Sequence, residues 1–572
     1  MSEITGEILI KGGFIIDPAQ KIDGDVGDIA IKDGKIVDRV SNAAKVIDAK
    51  GKVVMAGGVD VHSHVAGPKV NVGRLFRPED KLFKSGITHA PTRMEMGFSI
   101  PSVLKTGYDY ARMGYGFVME AAMPPIHAPH VHEEIHDTPI IDEGALPVFG
   151  NNWFVMEYLK KGEVENTAAY IAWLLKVTKG FGVKVVNPGG TAAWAWGMNC
   201  LGIEDHVPYF DVTPHEIMTG LMAANEYLGL PHSIHVHQNN LGNPGNYPTT
   251  LESLKLAEGV KTHNKFGREQ VMHSTHLQFH SYGGDSWANF CSKAKEVMDY
   301  VNKQKNITID LGCVTLDETT TMTADGPFEH HLHALNHLKW ANVDVEMETA
   351  AGVVPYIYDK DVVPNGVQWA TGLELALYAK DPMRTFITTD HPNAGPFIRY
   401  PRVIKWLMNQ KSREAVLASM KKVDKVIDLT NIHTIDRELN LYEIAAMTRT
   451  GPAKCLGLCN YYGSLKPGMI ADVAVYDLNY KNMPSDPEKI ESAFLRSAAF
   501  VKSGEIVVRE GEVLSHGHKK TVWVNPIMKE NPQVKRDVAQ SFAKDYTVGL
   551  TNYPVREYLA PHPFVIDVNV EA

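Results

Sequence analysis

The sequence predicts an α/β protein: a (β/α)8 barrel with a small β-sandwich built from both chain ends. Three observations predict it. Residues 58–460 alternate short apolar strands with helical stretches such as "TAAYIAWLLKVTKGF" and "PHEIMTGLMAANEYLGL". Repeated βα units of this kind form a parallel sheet, and about eight of them close a barrel. The N-terminal flank reads instead as short strands broken by Asp-Gly and Lys-Gly turns: "GEILIKGGFIID", "GDIAIKDGKIVDRV", "KVIDAKGKVVMAGG". The same texture returns in "GSLKPGMIADVAVYD", "AAFVKSGEIVVREGEVL" and "KTVWV". Two strand-rich flanks around a different middle point to one composite sandwich. The expected division is therefore residues 1–57 and 461–530 for the sandwich, 58–460 for the barrel, and 531–572 as a C-terminal extension.

Composition narrows the function. The chain has 572 residues, more than one simple core holds, with 44% hydrophobic and 22% charged residues. A formal net charge of −10 argues against nucleic acid or an anionic membrane as partner. No apolar stretch approaches the roughly 18–20 residues that span a bilayer. The start "MSEITGEILIKGG" has no basic segment followed by an apolar one, so a signal peptide is not expected. Cys200, Cys291, Cys313, Cys455 and Cys459 are odd in number and scattered; "CLGLC" reads as reduced core thiols. A cytoplasmic location is the expectation.

In a parallel barrel, functional groups sit at the C-terminal ends of the strands. Candidate strands, in order, are "VDVHSHV", "ITHAPTR", "YGFVMEAAM", "LPVFGNN", "GVKVVNPGG", "HSIHVHQNN", "QVMHSTHL", "NITIDLG", "VDVEMET" and "TFITTDHPNAG". The first ends in His62 and His64, which share a face because strand side chains alternate with period two. "GVKVVNPGG" puts Lys184 between valines, costly to bury unless neutralised or paired. A lysine facing a barrel mouth can, as the neutral amine, add CO2 and become a carbamate that bridges two cations. "HSIHVH" offers His235 and His237, "QVMHSTHLQFH" offers His273, His276 and His280, and "FITTDHPNAG" ends in Asp390. Each alone reads first as a hydrogen-bonded core or loop residue; their joint order is harder to dismiss.

That order resembles the metal-dependent amidohydrolase superfamily, whose binuclear members carry these ligands on a (β/α)8 barrel beside a sandwich made from both chain ends. "MTRTGPAKCLGL…GSLKPGMIADVAVYD" resembles the superfamily's return to the sandwich. Within it, "GGVDVHSHVAGPKVNVGR", "VKVVNPGGTAAWAWG", "IHVHQNNLGNPGNY", "THLQFHSYGG" and "FITTDHPNAGPF" resemble the amidohydrolase-like subunit family of formylmethanofuran dehydrogenases over essentially the whole chain. The resemblance implies two divalent metal ions, zinc first, with iron, cobalt or nickel also suited to such ligands. It places His62 and His64 on one metal and His237 and His276 on the other, with carboxylated Lys184 bridging. Asp390 would both ligate the first metal and carry the proton. His235 shares parity with His237 but lies deeper. His273 and His280 are alternatives to His276, and Asn239 and Arg93 are lesser substrate candidates.

The activity implied is reversible condensation of formate with the amine of methanofuran, giving N-formylmethanofuran. Formate would come from CO2 at a tungsten or molybdenum pterin subunit of the same complex, served by iron–sulfur subunits. This chain lacks the cysteine runs for such clusters. Three rivals stand beside this reading: the formylmethanofuran hydrolase subunit of a methylotroph formyltransferase/hydrolase complex, a cyclic-amide hydrolase of dihydroorotase or hydantoinase type, and a non-catalytic scaffold. Three further features read as ordinary structure. His330, His333 and His337 share a helical face. "MPPIHAPHVHEEIH" reads as a Pro-broken loop. Arg74 and Arg77, like Arg93, could meet an acidic substrate tail or form plain ion pairs.

Overall fold

A computed structural model describes residues 6–77, 80, 91–263, 265–345 and 347–570. Eight parallel strands define its centre: β1 (Gly58–Ser63), β2 (Tyr115–Met123), β3 (Asp142–Pro147), β4 (Lys184–Val186), β5 (Ile234–His237), β6 (Met272–Ser274), β7 (Ile307–Asp310) and β8 (Thr385–Phe386). They pair as two half-sheets, β1-β2-β3 and β4-β5-β6-β7-β8. Two parallel bridges join the halves, Val148 to Lys184 and Ser63 to His391, so the ring closes as expected.

Alternation along these strands separates the two faces. Ile234, Met272 and Ile307 lie in register and are buried in the main core against the helices. One residue on, Lys184, His235, His273 and Thr308 lie in register and face the opposite way, into the barrel. Most small barrels fill this interior with Val, Ile and Leu. Here it is filled with imidazoles, a hydroxyl and an amine.

Both chain ends meet in one nine-stranded sheet, in which Val53–Ala56 pairs with Glu7–Asp17 on one side and with Val473–Tyr476 on the other. Val54, Val473 and Val475 enter a separate apolar cluster with Ile8, Ile10, Ile29 and Ile31. Their neighbours Val53, Met55, Ala474 and Tyr476 pack into the barrel core. These two strands are therefore apolar at every position, because both of their faces are buried.

Several expectations need correction. Strand Thr521–Ile527, read as part of the sandwich, instead joins the barrel side: Thr521 pairs with Glu143 of β3, and the whole strand runs parallel to Pro563–Asn569. The C-terminal extension is thus built onto the barrel wall. "VDVEMET" is no barrel strand. Ala341–Val345 forms an antiparallel sheet with Glu318–Thr323 and Thr349–Ile357, in an excursion after β7 that also carries helix Gly326–Asn336. The loop expected at "MPPIHAPHVHEEIH" is mostly helix, Ala128–Asp137, because its prolines fall where a first turn needs no N–H. "ITHAPTR" lies largely outside the described residues; its Pro91–Arg93 portion is not strand.

Candidate metal centre at the barrel mouth

His62 is the fifth residue of β1, and His64 follows just beyond its end. The His64 amide donates to the His391 carbonyl at 2.7 Å, which stitches β1 to the turn carrying Asp390. Asp390 Oδ1 lies 2.9 Å from His62 Nε2 and 3.3 Å from His64 Nε2. Two imidazole nitrogens converging on one carboxylate oxygen, all buried, make a donor set of the kind a divalent cation takes.

His276 closes the group: a ligand atom from each of His62, His276 and Asp390 lies within 4.8 Å of the others. Its ring stands 4.7 Å from that of His237 and 5.2 Å from that of His62, and its Nδ1 has no partner. His276, Asp390 and Asn187, in the turns that follow β6, β8 and β4, have positive φ, at 33°, 49° and 38°. Such backbone costs about 1–3 kcal/mol per residue and persists where surroundings enforce it, as at functional sites. Gly312 is one enforcer: a Cβ there would stand 2.4 Å from the His276 Cβ, so only glycine permits the turn.

Lys184 lies beneath this group with its Nζ fully buried and without a hydrogen-bond partner. Burial lowers its amine to about 7, against the opposing pull of Asp390 and Asp310. A buried, unpartnered amine is otherwise unfavourable; a near-neutral one can react with CO2. Burial lowers His62 to about 4, with the Lys184 charge adding to it. Burial would raise the Asp390 carboxyl, yet His276, His62 and His64 hold it well below the usual range, as a carboxylate.

Below lies a fully engaged tier. His62 Nδ1 shares a 2.9 Å hydrogen bond with His235 Nε2, whose Nδ1 bonds His232 Nε2 at 3.0 Å. His232 Nδ1 donates to the Cys455 carbonyl at 2.9 Å. His273 is held by Thr308 Oγ1 and Asp310 Oδ2 at 2.9 and 3.1 Å. Asp310 in turn accepts from the His276 amide and the Thr388 hydroxyl. His235 and His273 are thus hydrogen-bonded on both ring nitrogens, although ligand atoms of His62, His235 and Asp310 also lie within 4.8 Å of one another. Asn239 is engaged on one side only: its Nδ2 donates to Asn187, Pro188 and Cys200, while its buried Oδ1 has no partner. His280 differs, because neither of its buried ring nitrogens has a partner and its ring stacks on His276 at 5.3 Å. Arg93 lies elsewhere, lining a cavity with Lys35, His516 and Lys519 against the terminal sheet. Arg74 pairs with Glu134 and Arg77 with Glu318, as plain ion pairs.

Sequence reasoning passed over three carboxylates. Asp310 ends strand "NITID", so the strand-end rule itself could have found it. Asp325 meets His237 Nε2 at 3.1 Å, and Glu120 meets His64 Nδ1 at 3.3 Å. Asp325 comes from the excursion after β7, and only the fold brings it there.

The barrel, the composite end sheet and this cluster define a class, and the chain belongs to the amidohydrolase family: residues 45–514 match the family's model. Within the family its likenesses are specific. It is 52% identical to protein FwdA of Methanocaldococcus jannaschii, over 98% of this chain and 99% of that one. It is 35% identical to a subunit of the formyltransferase/hydrolase complex Fhc of Methylorubrum extorquens, over 96% of this chain and 97% of that one. The crystal structure of that complex with methylofuran superposes with a TM-score of 0.88 at 33% identity, covering 99% of this chain and 100% of the matched chain.

Proposed function

We propose that this chain condenses formate with the amine of methanofuran, and cleaves the product N-formylmethanofuran in reverse, as the amidohydrolase component of a formylmethanofuran dehydrogenase. The observation that carries the reading is the convergence of His62, His64, His276 and Asp390 above a buried Lys184 whose amine has no partner. His62 and His64 would hold one divalent ion and His237 and His276 the other, with Asp390 on the first and Lys184, as its carbamate, between them. Zinc suits this set. When bound, the two ions supply Lewis-acid stabilisation of the acyl oxygens and an activated water.

The residues of the chain account for the protons. Protonated amine and formate sum to the amide plus one water, so two protons leave nitrogen and end on the departing oxygen. Asp390, buried beside His62 and His64 and held as a carboxylate, would accept a proton from the amine and return it in hydrolysis. His235 and Asp310 fix the His62 ring through its Nδ1 side, as outer groups orient metal-binding imidazoles. Glu120 does the same for His64. Condensation in water is uphill, so formate delivered from an attached CO2-reducing subunit, with a tungsten or molybdenum pterin and iron–sulfur partners, favours synthesis.

Formate release from N-formylmethanofuran by the metal-loaded chain tests the reading, with dihydroorotate and hydantoin as controls. Release from N-formylmethanofuran alone is expected. Turnover of the cyclic amides in its place would reassign the substrate.

A further inference from the structure

A cavity of about 780 Å³ opens at the foot of the barrel, between the composite end sheet and the C-terminal part of the chain. Its wall joins segments far apart in sequence: the hairpin turn at residues 33–35, the loop 138–140 that leads into β3, and the stretch 516–520 that leads into strand Thr521–Ile527. Both of the last two enter their strands at the N-terminal end. The cavity therefore faces away from the mouth, and none of the metal-binding candidates lines it.

Four permanent cations gather here: Lys35, Arg93, Lys519 and Lys520. Among the described residues none of the four makes an ion pair, although His518 of the same wall has Glu505 at 3.5 Å. The wall carries two carboxylates, Asp33 and Asp137, so the cations exceed them by two, on a chain whose net charge is −10. The fold holds two of these cations in place. Lys519 Nζ donates to the carbonyls of Ile135, at 2.6 Å, His136 and Thr138, which close helix Ala128–Asp137. Lys520 Nζ stands 5.5 Å from the centre of the Phe564 ring. Lys35 and Arg93 are exposed at the rim.

The neighbouring groups register the positive field. Burial lowers the Lys519 ammonium to about 8 against the pull of Glu143 and Asp137, and the Arg93 charge pushes the same way as burial. Burial, then the Lys519 charge and that of His562, lower His136, whose buried Nε2 has no partner. Like charges collected without partners repel one another, and an anion between them removes that cost.

We propose that this cavity binds a small phosphate monoester. A phosphate group carries about −1.5 to −2 at neutral pH, so one group offsets the excess of two cations, where two carboxylates would be needed. Arginine meets phosphate as a fork and lysine as a point charge, and both are present. The volume falls within the roughly 300–1,000 Å³ of small-molecule sites, and Pro139, Ile140 and Ile470 give an organic body an apolar wall. The site stands apart from the reaction proposed at the metals.

Isothermal titration calorimetry on the metal-loaded full-length chain tests this with phenyl phosphate, inorganic phosphate and propane-1,2,3-tricarboxylate. Phenyl phosphate is expected to bind one-to-one and more tightly than inorganic phosphate. Lys35→Ala is expected to weaken it roughly tenfold, the scale of one charge-assisted contact, with Arg93→Ala as the second variant should the first not fold. Lys411→Ala, on helix Gln410–Ala418 away from the cavity, should leave it within about twofold. Phosphate held at the metals would bind Lys35→Ala and Arg93→Ala as it binds wild type, and that result refutes the cavity. Equal weakening by Lys411→Ala refutes it too, since the effect would then be one of overall charge. Absence of saturable binding overturns the site, and tighter binding of the tricarboxylate than of phenyl phosphate overturns the ligand class.

Discussion

The barrel holds two tiers of histidine that differ in the fate of their nitrogens. In the lower tier, all six ring nitrogens of His232, His235 and His273 have partners. In the upper tier, His276 Nδ1 and both nitrogens of His280 have none, and neither does Lys184 Nζ beneath them. Both tiers are buried to the same degree. Since buried polar groups are almost always satisfied within the protein, the metal ligation proposed above would account for the atoms left without partners. Residue type and burial do not separate the two; hydrogen-bond accounting does.

The largest expected effect breaks the upper tier. Lys184→Ala should lose metal and activity together, by more than the roughly 10–100-fold that removal of an outer brace causes. Short carboxylic acids should restore part of both. Metal analysis beside formate-release rates measures this, and a variant that kept full metal and full rate would remove Lys184 from the site.

A smaller effect is expected in the lower tier. His235→Phe strips His62 Nδ1 and His232 Nε2 of their shared partner. Metal affinity, read by competition with a chelator, should weaken about 10–100-fold, with activity recovered in excess metal. Stability should drop by about 1–3 kcal/mol for the unpaired groups left behind. If excess metal restores nothing, His235 is itself a ligand and the distinction between the tiers fails.

The smallest effect on activity uses a buried carboxylate outside both tiers. Glu374 accepts from Ser292 Oγ and the Asn431 amide, each at 2.5 Å, yet burial raises it to about 7 from an ordinary 4.5. A carboxyl raised in the folded state binds a proton that the unfolded chain has released. Stability contributed this way is full below about pH 4.5, is lost as the pH rises towards 7, and changes no further above it. The loss is up to about 3 kcal/mol. Glu374→Gln should flatten that slope in denaturant titrations at successive pH values, with formate release unchanged. An unaltered slope would show that the bonds from Ser292 and Asn431 offset the burial.

Much of this was legible without coordinates. Period-two alternation put His62, Lys184, His235 and His237 on inward faces, and the strand-end rule pointed to the mouth, because both follow from local backbone geometry. The glycine and proline punctuation likewise marked the two strand-rich flanks that meet in one sheet. His235 and His237 could not be told apart by parity, since a separation of two keeps them on one face; depth within the barrel distinguishes them, and depth depends on the neighbouring strands. Asp310 was accessible to the same rule and was passed over. Asp325 was not accessible, because it depends on an excursion that folds back over the mouth from a distance in sequence. Thr521–Ile527 shows the same limit, since its alternation fits any half-buried sheet and only long-range pairing decides which one. The sequence by itself determined which residues face inward and what chemistry they can offer. Tertiary structure decided which inward groups are satisfied by one another and which are left for a ligand, because that depends on partners far apart in the chain.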